Sequence, residues 1–76
     1  MNGQTRKQQD QLAKDFIRIY CKGMTIDAMK ATHRMNDIWG VAMDWHVFSY
    51  ALDALGNSGE AEIVPAMNEM TAYYVK

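Results

Sequence analysis

Apolar residues recur every three or four positions along most of the chain, and glycine-containing segments interrupt this periodicity. The interruptions lie at Gly23, at residues 35–37 upstream of Gly40, and at residues 56–59. A spacing of three and four places apolar side chains on one face of an α-helix. The pattern predicts an all-α bundle in a single domain over residues 1–76, with four helices at about residues 5–22, 25–35, 37–55 and 60–75.

Residues with known preferences for helix ends refine these boundaries. Gly23 follows the first helix, in the position where a left-handed residue commonly ends one. Thr25 is the predicted N-cap of the second helix because its hydroxyl can accept a hydrogen bond from an unpaired backbone N–H, and Asp27 complements the helix dipole. Asn36 or Asp37 is predicted to begin the third helix.

The third predicted helix is apolar on two faces. One stripe has the spacing 3, 4, 3, 4, 3 and consists of Ile38, Val41, Trp45, Phe48, Leu52 and Leu55. The stripe on the far side supplies a candidate partner or dimer surface: Trp39, Met43, Val47 and Tyr50. A chain of 76 residues cannot easily cover both faces of one helix, so we expect a homodimer. The alternative is that these methionine and aromatic side chains fill a small core.

The last segment contains the one stretch that resembles a strand. Residues 61–64 include β-branched side chains, but they stand alone before Pro65 and are too isolated to build a sheet. We therefore expect a helix that is regular from about Pro65 to Tyr74. Its inward positions would be Ile63, Ala66, Met67, Met70, Tyr73 and Tyr74.

Length and composition limit the chemistry that the chain can carry. Its 76 residues, 49% of them apolar, suffice for one small core and leave no room for separate cofactor and substrate domains. Cys21 is the only cysteine, which excludes an intramolecular disulfide, and we expect it to be a small buried side chain. The polar N-terminal stretch is typical of neither a secretory signal nor a membrane anchor, and we expect a cytoplasmic protein.

Charge is distributed unevenly along the chain. Residues 1–36 carry seven basic and three acidic side chains, residues 37–76 carry one basic and six acidic, and the total is −1. Such polarity is expected of a protein with an anionic partner. The candidate patch for this partner, or for nucleic acid, consists of Arg18, Lys22, Lys30 and Arg34. The alternative is that two opposed charged faces attract each other within the fold.

Residues 15–31 support a second interpretation. A predicted helix there ends in Lys-Gly-Met-Thr before a short second helix, and the run resembles the one that opens many helix-turn-helix repressors and transposases. The resemblance implies a DNA-binding regulator whose recognition helix is capped by Asn36. The chain departs from the pattern in that helix, which begins Asp-Ile-Trp-Gly-Val-Ala-Met-Asp and offers no Arg, Lys, Gln or Asn to a base edge.

No spacing typical of an enzyme emerges. His33 and Asp37 are four residues apart, but the predicted helix break lies between them. His46, Ser49 and Asp53 share one helical strip, where parallel side chains cannot easily supply nucleophile, base and orienting group. We expect no catalytic residue, no metal, no cofactor, no small-molecule substrate and no membrane partner.

These observations favour a non-enzymatic protein–protein interaction module. It would act as an inhibitor or adaptor that binds a macromolecular partner, of the kind that phages and bacteria encode, an expectation that rests on size. The second hypothesis is a helix-turn-helix DNA-binding regulator that uses the basic N-terminal half. A purely structural oligomer is a third hypothesis.

Overall fold

The computed structural model describes residues 6–41, 43–65 and 71–76. Helices and strands follow one another in the order α1 (Arg6–Tyr20), β1 (Thr25–Ile26), α2 (Ala28–Trp39), α3 (Trp45–Asn57), β2 (Ala61–Val64) and β3 (Ala72–Val75). The described chain is therefore an α+β protein with three helices and a three-stranded sheet. The prediction of an all-α four-helix bundle is wrong.

The first predicted helix is present as α1. Ala13, Phe16 and Ile17 form its buried face, in agreement with the apolar periodicity. The predicted start at Thr5 lies outside the described residues. Cys21 follows directly after the helix and is fully buried, which confirms that it is a small core side chain.

The second predicted helix is displaced at both ends. Asp27, rather than Thr25, is the N-cap of α2, and its carboxylate accepts a hydrogen bond from the backbone N–H of Lys30 at 2.8 Å. The helix then continues through residues 36–37, where a break was predicted, because their polar side chains remain exposed on its outer face. It ends at Gly40, which has a φ of 70° and donates to the carbonyl of Asn36.

The long third helix predicted over residues 37–55 is also wrong. Gly40 adopts a left-handed conformation that ends α2, and Asp44 caps the start of α3. Ile38 belongs to α2 and Val41 to the linker, so neither continues the apolar stripe of α3. Both side chains are exposed. The buried face of α3 consists of Phe48, Ala51, Leu52 and Leu55.

A sheet replaces the predicted fourth helix. The strands lie in the order β1-β3-β2, and both pairings are antiparallel, with Ile26 and Ile63 on either side of Tyr73. Tyr73 and Val75 are buried whereas Tyr74 is exposed, the alternation of a strand with one covered face. The predicted inward positions Ala66, Met67 and Met70 lie outside the described residues.

The core lies where the three helices meet the covered face of this sheet. Phe16 occupies its centre, and its ring lies 5.0 Å from the ring of Trp39 and 6.1 Å from that of Phe48. Tyr73 carries the core into the sheet and comes so close to α3 that a Cβ added at Gly56 would lie 3.4 Å from its ring. α3 thus packs against α1, α2 and β2.

Candidate functional site

α1 and α3 lie side by side and run in the same direction. At one end Arg6 lies over the ring of Tyr50, and at the other Arg18 binds Glu60, which follows the end of α3. The N-terminal halves of the two helices border a groove with a volume of about 820 Å³. The groove is lined by Arg6, Lys7, Gln9, Asp10, Asp44, His46, Val47 and Tyr50.

The α1 wall of the groove is cationic. Arg6 and Lys7 lie in the first turn of α1, which contains no acidic residue, so their charges add to the positive end of the helix dipole. The guanidinium carbon of Arg6 lies 5.7 Å from the centre of the Tyr50 ring, within cation–π range. The carboxylate of Asp10 is paired with Lys14 Nζ at 3.0 Å. This wall therefore keeps an excess of positive charge.

The acidic residue on the α3 wall, Asp44, is the N-cap of α3. Asp44 Oδ1 accepts a hydrogen bond from the backbone N–H of His46 at 3.1 Å and lies 2.7 Å from Nδ1 of the same residue. The backbone hydrogen bond, and then the one from the ring, lower the pKa of Asp44. The imidazole in turn stacks on Trp45, with ring centres 3.8 Å apart. This carboxylate is thus engaged within α3 and does not reach across to Arg6.

Val47 and Tyr50 supply the apolar surface of the groove. Val47 borders the buried stripe of α3 and packs against the core, while Tyr50, almost one turn later, is 60% exposed. An exposed aromatic ring beside a guanidinium is typical of surfaces that contact another macromolecule, because both groups bury large areas with little loss of conformational freedom.

The structure divides the predicted partner surface. Trp39 lies at the end of α2, and its ring meets the rings of Phe16 and Tyr20 edge-on, so it serves the core. Met43 lies in the linker before α3 and also packs against the core. Val47 and Tyr50 alone among the four line the groove. The four therefore do not form one helical stripe.

The predicted basic patch is divided as well. Arg18 makes two hydrogen bonds to the carboxylate of Glu60, at 2.9 and 3.0 Å. Arg34 donates from Nε to the carbonyl of Tyr20 at 2.9 Å and so satisfies an acceptor at the end of α1. Lys22 and Lys30 are exposed, and neither makes a salt bridge with another described residue.

The residues that sequence analysis missed are Arg6 and Lys7. Their positions near the start of the chain carry no local signal that links them to Tyr50, more than forty residues away. The only available indication was the surplus of basic residues in the N-terminal half. The link depends on the parallel arrangement of α1 and α3, which is a property of the tertiary structure.

The two histidines lie on different helices and have different surroundings. His33 and Asp37 lie on one continuous helix after all, but no group of three or more potential ligands comes together in the described ranges. His46 contacts Asp44, rather than Ser49 or Asp53 on its own helical strip. Within those same ranges, no helix combines the length and the apolar character needed to cross a membrane.

Comparison with known proteins adds no relative from which a role could be transferred. Neither a protein-family model, nor a curated protein, nor a solved structure matches the chain. The candidate site is consequently defined by its own geometry. It is a cationic and partly apolar groove between the N-terminal halves of α1 and α3.

Proposed function

We propose that the chain is a non-enzymatic protein-binding module, an inhibitor or adaptor, whose groove between α1 and α3 receives an acidic and partly apolar segment of a partner protein. The observation that carries this proposal is the Arg6 guanidinium 5.7 Å from the centre of the exposed Tyr50 ring. The pair offers a cation and an aromatic face to the same ligand segment.

Charge supports the choice of an acidic segment. The two carboxylates of the groove already have partners, since Asp10 binds a lysine and Asp44 binds a histidine. Arg6 and Lys7 form no salt bridge with another described residue. A ligand carboxylate would therefore meet unneutralised cations at the positive end of a helix dipole.

Shape supports a ligand that also carries apolar side chains. Val47 is half-buried, the Tyr50 ring is exposed, and both line the groove. An aliphatic side chain placed between them would be removed from water on two sides. Acidic side chains on the same segment would lie against α1.

The test uses short fluorescein-labelled peptides that alternate Glu with Leu, and peptides that alternate Lys with Leu as the charge-reversed control. Fluorescence anisotropy should show binding of the Glu-Leu peptide alone. Arg6→Glu should weaken it by about ten-fold or more, because the variant removes the cation and its contact with Tyr50. Lys22→Glu is the matched control, since it changes the net charge equally at an exposed position outside the groove.

Two outcomes contradict the proposal. Equal losses in the Arg6→Glu and Lys22→Glu variants would mean that the peptide responds to total charge and not to the groove. Salt-sensitive binding of a mixed-sequence DNA duplex that is weakened by Lys30→Ala, with no peptide binding, would transfer support to the DNA-binding regulator.

A further inference from the structure

The sheet has two edge strands, and β2, with four residues, is longer than β1, with two. Within the described residues β2 pairs only with β3, and β3 separates it from β1. Lys76 N–H donates to Glu60 O at 3.0 Å, which continues the ladder between the two strands. Because hydrogen-bonded positions alternate in an antiparallel pair, Glu62 and Val64 direct their backbone groups toward β3. Ala61 and Ile63 therefore direct theirs outward.

The contacts of Val75 support this alternation independently. Val75, the partner of Ala61, directs its backbone groups away from β2. Its N–H donates to Met24 O at 2.9 Å, and its C=O accepts from Gly23 N–H at 2.6 Å. The pair at Ala61 and Val75 is thus one of the non-hydrogen-bonded pairs of the ladder. The outer edge of β2 consequently presents backbone donors and acceptors that no other described residue engages.

Ile63 places its side chain at this same edge. It is 67% exposed, although it lies opposite Tyr73, which is buried. Because directly opposite residues of an antiparallel pair share a face, its side chain lies on the covered side of the sheet and is nevertheless mostly exposed. Ile63 therefore combines outward backbone groups with an uncovered aliphatic side chain.

We infer that β2 pairs antiparallel with β2 of a second copy of this chain, around a twofold axis at Ile63. In this register Ile63 lies opposite the partner's Ile63, and Glu62 lies opposite the partner's Val64. The two isoleucines exchange backbone hydrogen bonds and cover each other's side chains. The inference is independent of the groove, which is formed by α1 and α3.

The neighbouring registers are less favourable for a physical reason. A register centred on Glu62 sets that carboxylate directly opposite the partner's Glu62, and like charges in such pairs are destabilising. A register centred on Val64 sets Ile63 opposite the partner's Pro65, which has no N–H to donate. The Ile63-centred register avoids the repulsion and keeps a full exchange of hydrogen bonds at its centre, and it moves Pro65 to the two ends of the pairing, opposite the partner's Ala61.

Pairing through β2 also gives a closed assembly. The combined sheet has the order β1-β3-β2-β2-β3-β1, so each copy uses its long open edge once. The outer edges are then the two β1 strands, each of which has two residues. Such short edges offer little to a further copy, and the assembly stops at a dimer.

Sedimentation velocity over a concentration series tests the interface. The wild-type chain should dimerise reversibly, and Ile63→Lys should weaken the dimer by about ten-fold or more, because it places two charges across the axis. Ile19→Lys is the matched control, since Ile19 is 65% exposed on α1 and should leave dimerisation unchanged. Circular dichroism of both variants checks that the helices remain. A wild-type chain that stays monomeric up to about 1 mM, or equal effects of the two variants, would overturn the inference.

Disulfide trapping tests the register. Ile63→Cys should give a covalent dimer on mild oxidation, since directly opposite residues in a hydrogen-bonded pair have Cα atoms about 5.5 Å apart. Glu62→Cys should cross-link much more slowly, because it lies diagonally from its own copy at about 7–8 Å. The native Cys21 is fully buried and serves as a silent background in the wild-type control. Faster cross-linking of Glu62→Cys than of Ile63→Cys contradicts the proposed axis.

Discussion

Arg18 joins the C-terminal end of α1 to the start of β2 through both carboxylate oxygens of Glu60. Ser58 Oγ donates to the same carboxylate at 2.9 Å. A planar guanidinium fits a carboxylate in this two-bond geometry better than an ammonium does. A residue predicted for an external anionic partner thus has an internal one, and the structural role of Arg18 is to hold α1 against the sheet.

The first prediction at this scale concerns the titration of Glu60. Its pKa is lowered by the hydrogen bond from Arg18 first, and then by that from Ser58. Arg18→Met should raise the pKa toward the ordinary glutamate value, and Ser58→Ala should raise it less. Carboxyl chemical shifts followed by NMR against pH measure both changes.

The lowered pKa also fixes the sign of the pH dependence. Because the folded chain binds the Glu60 proton less readily than the unfolded chain, this contact stabilises the fold at neutral pH. The contribution disappears as the pH falls through the folded-state pKa. The Arg18→Met variant should lose that part of the acid dependence, and a Glu60 titration identical in wild type and variant contradicts the assignment.

At the scale of elements, the start of α2 shows how a nearby alternative defeats a local signal. Thr25 and Asp27 are both good N-cap residues, and they stand two positions apart. Thr25 belongs to β1, where it pairs with Tyr74, so its backbone is extended before the helix can begin. Asp27 caps the helix instead, because Thr25 is already held in the strand that pairs with β3.

The second prediction follows from this capping. Asp27→Ala should destabilise the chain by about 0.5–2 kcal/mol, since the backbone N–H of Lys30 loses the carboxylate of the buried Asp27 as its acceptor. Thr25→Ala, at an exposed position, should stay within about 0.5 kcal/mol of wild type. Urea unfolding curves measure both values. A larger loss of stability for Thr25→Ala than for Asp27→Ala would indicate that Thr25 is the N-cap.

The helices were more predictable than the strands for a reason that lies in their contacts. The apolar face of α1 is a local repeat, visible within fifteen residues, and it survives in the fold. β2 was recognisable as apolar and β-branched, but its partner β3 lies beyond Pro65. The aromatic residues of β3 fit a helical spacing as well as a strand, and only pairing on both sides decides between the two.

The candidate site was predictable only on its apolar side. Val47 and Tyr50 belong to a stripe that the sequence displays directly, and both line the groove. Trp39 and Met43 shared that stripe only under a continuous helix, which Gly40 interrupts. The cationic side depends on which helix lies beside α3, and periodicity within one helix carries no information about its neighbour.

At the scale of the whole molecule, Cys21 reports on the integrity of the core. Its thiol is fully buried between the end of α1 and β1, and burial raises its pKa. The coulombic effect of Arg34 acts in the opposite direction but is the smaller of the two. Both inaccessibility and the raised pKa reduce the amount of reactive thiolate in the folded state.

The third prediction is that this thiol reacts only through opening of the fold. Reaction with Ellman's reagent should be about a thousand-fold slower or more in the native chain than in urea, in line with typical unfolded fractions. Colour development measured with and without denaturant gives the ratio. Similar rates in the two conditions would show that the thiol is accessible in the native state.

The central place of β3 in the sheet has a consequence for synthesis of the chain on the ribosome. β1 and β2 do not pair with each other, and the strand that joins them is translated after both. β1 precedes β3 by more than forty residues, so it leaves the ribosome long before its partner is made. Assembly of the sheet thus waits for residues 72–75 to leave the exit tunnel, and until then chaperones and proteases meet a chain whose β1 segment is unpaired.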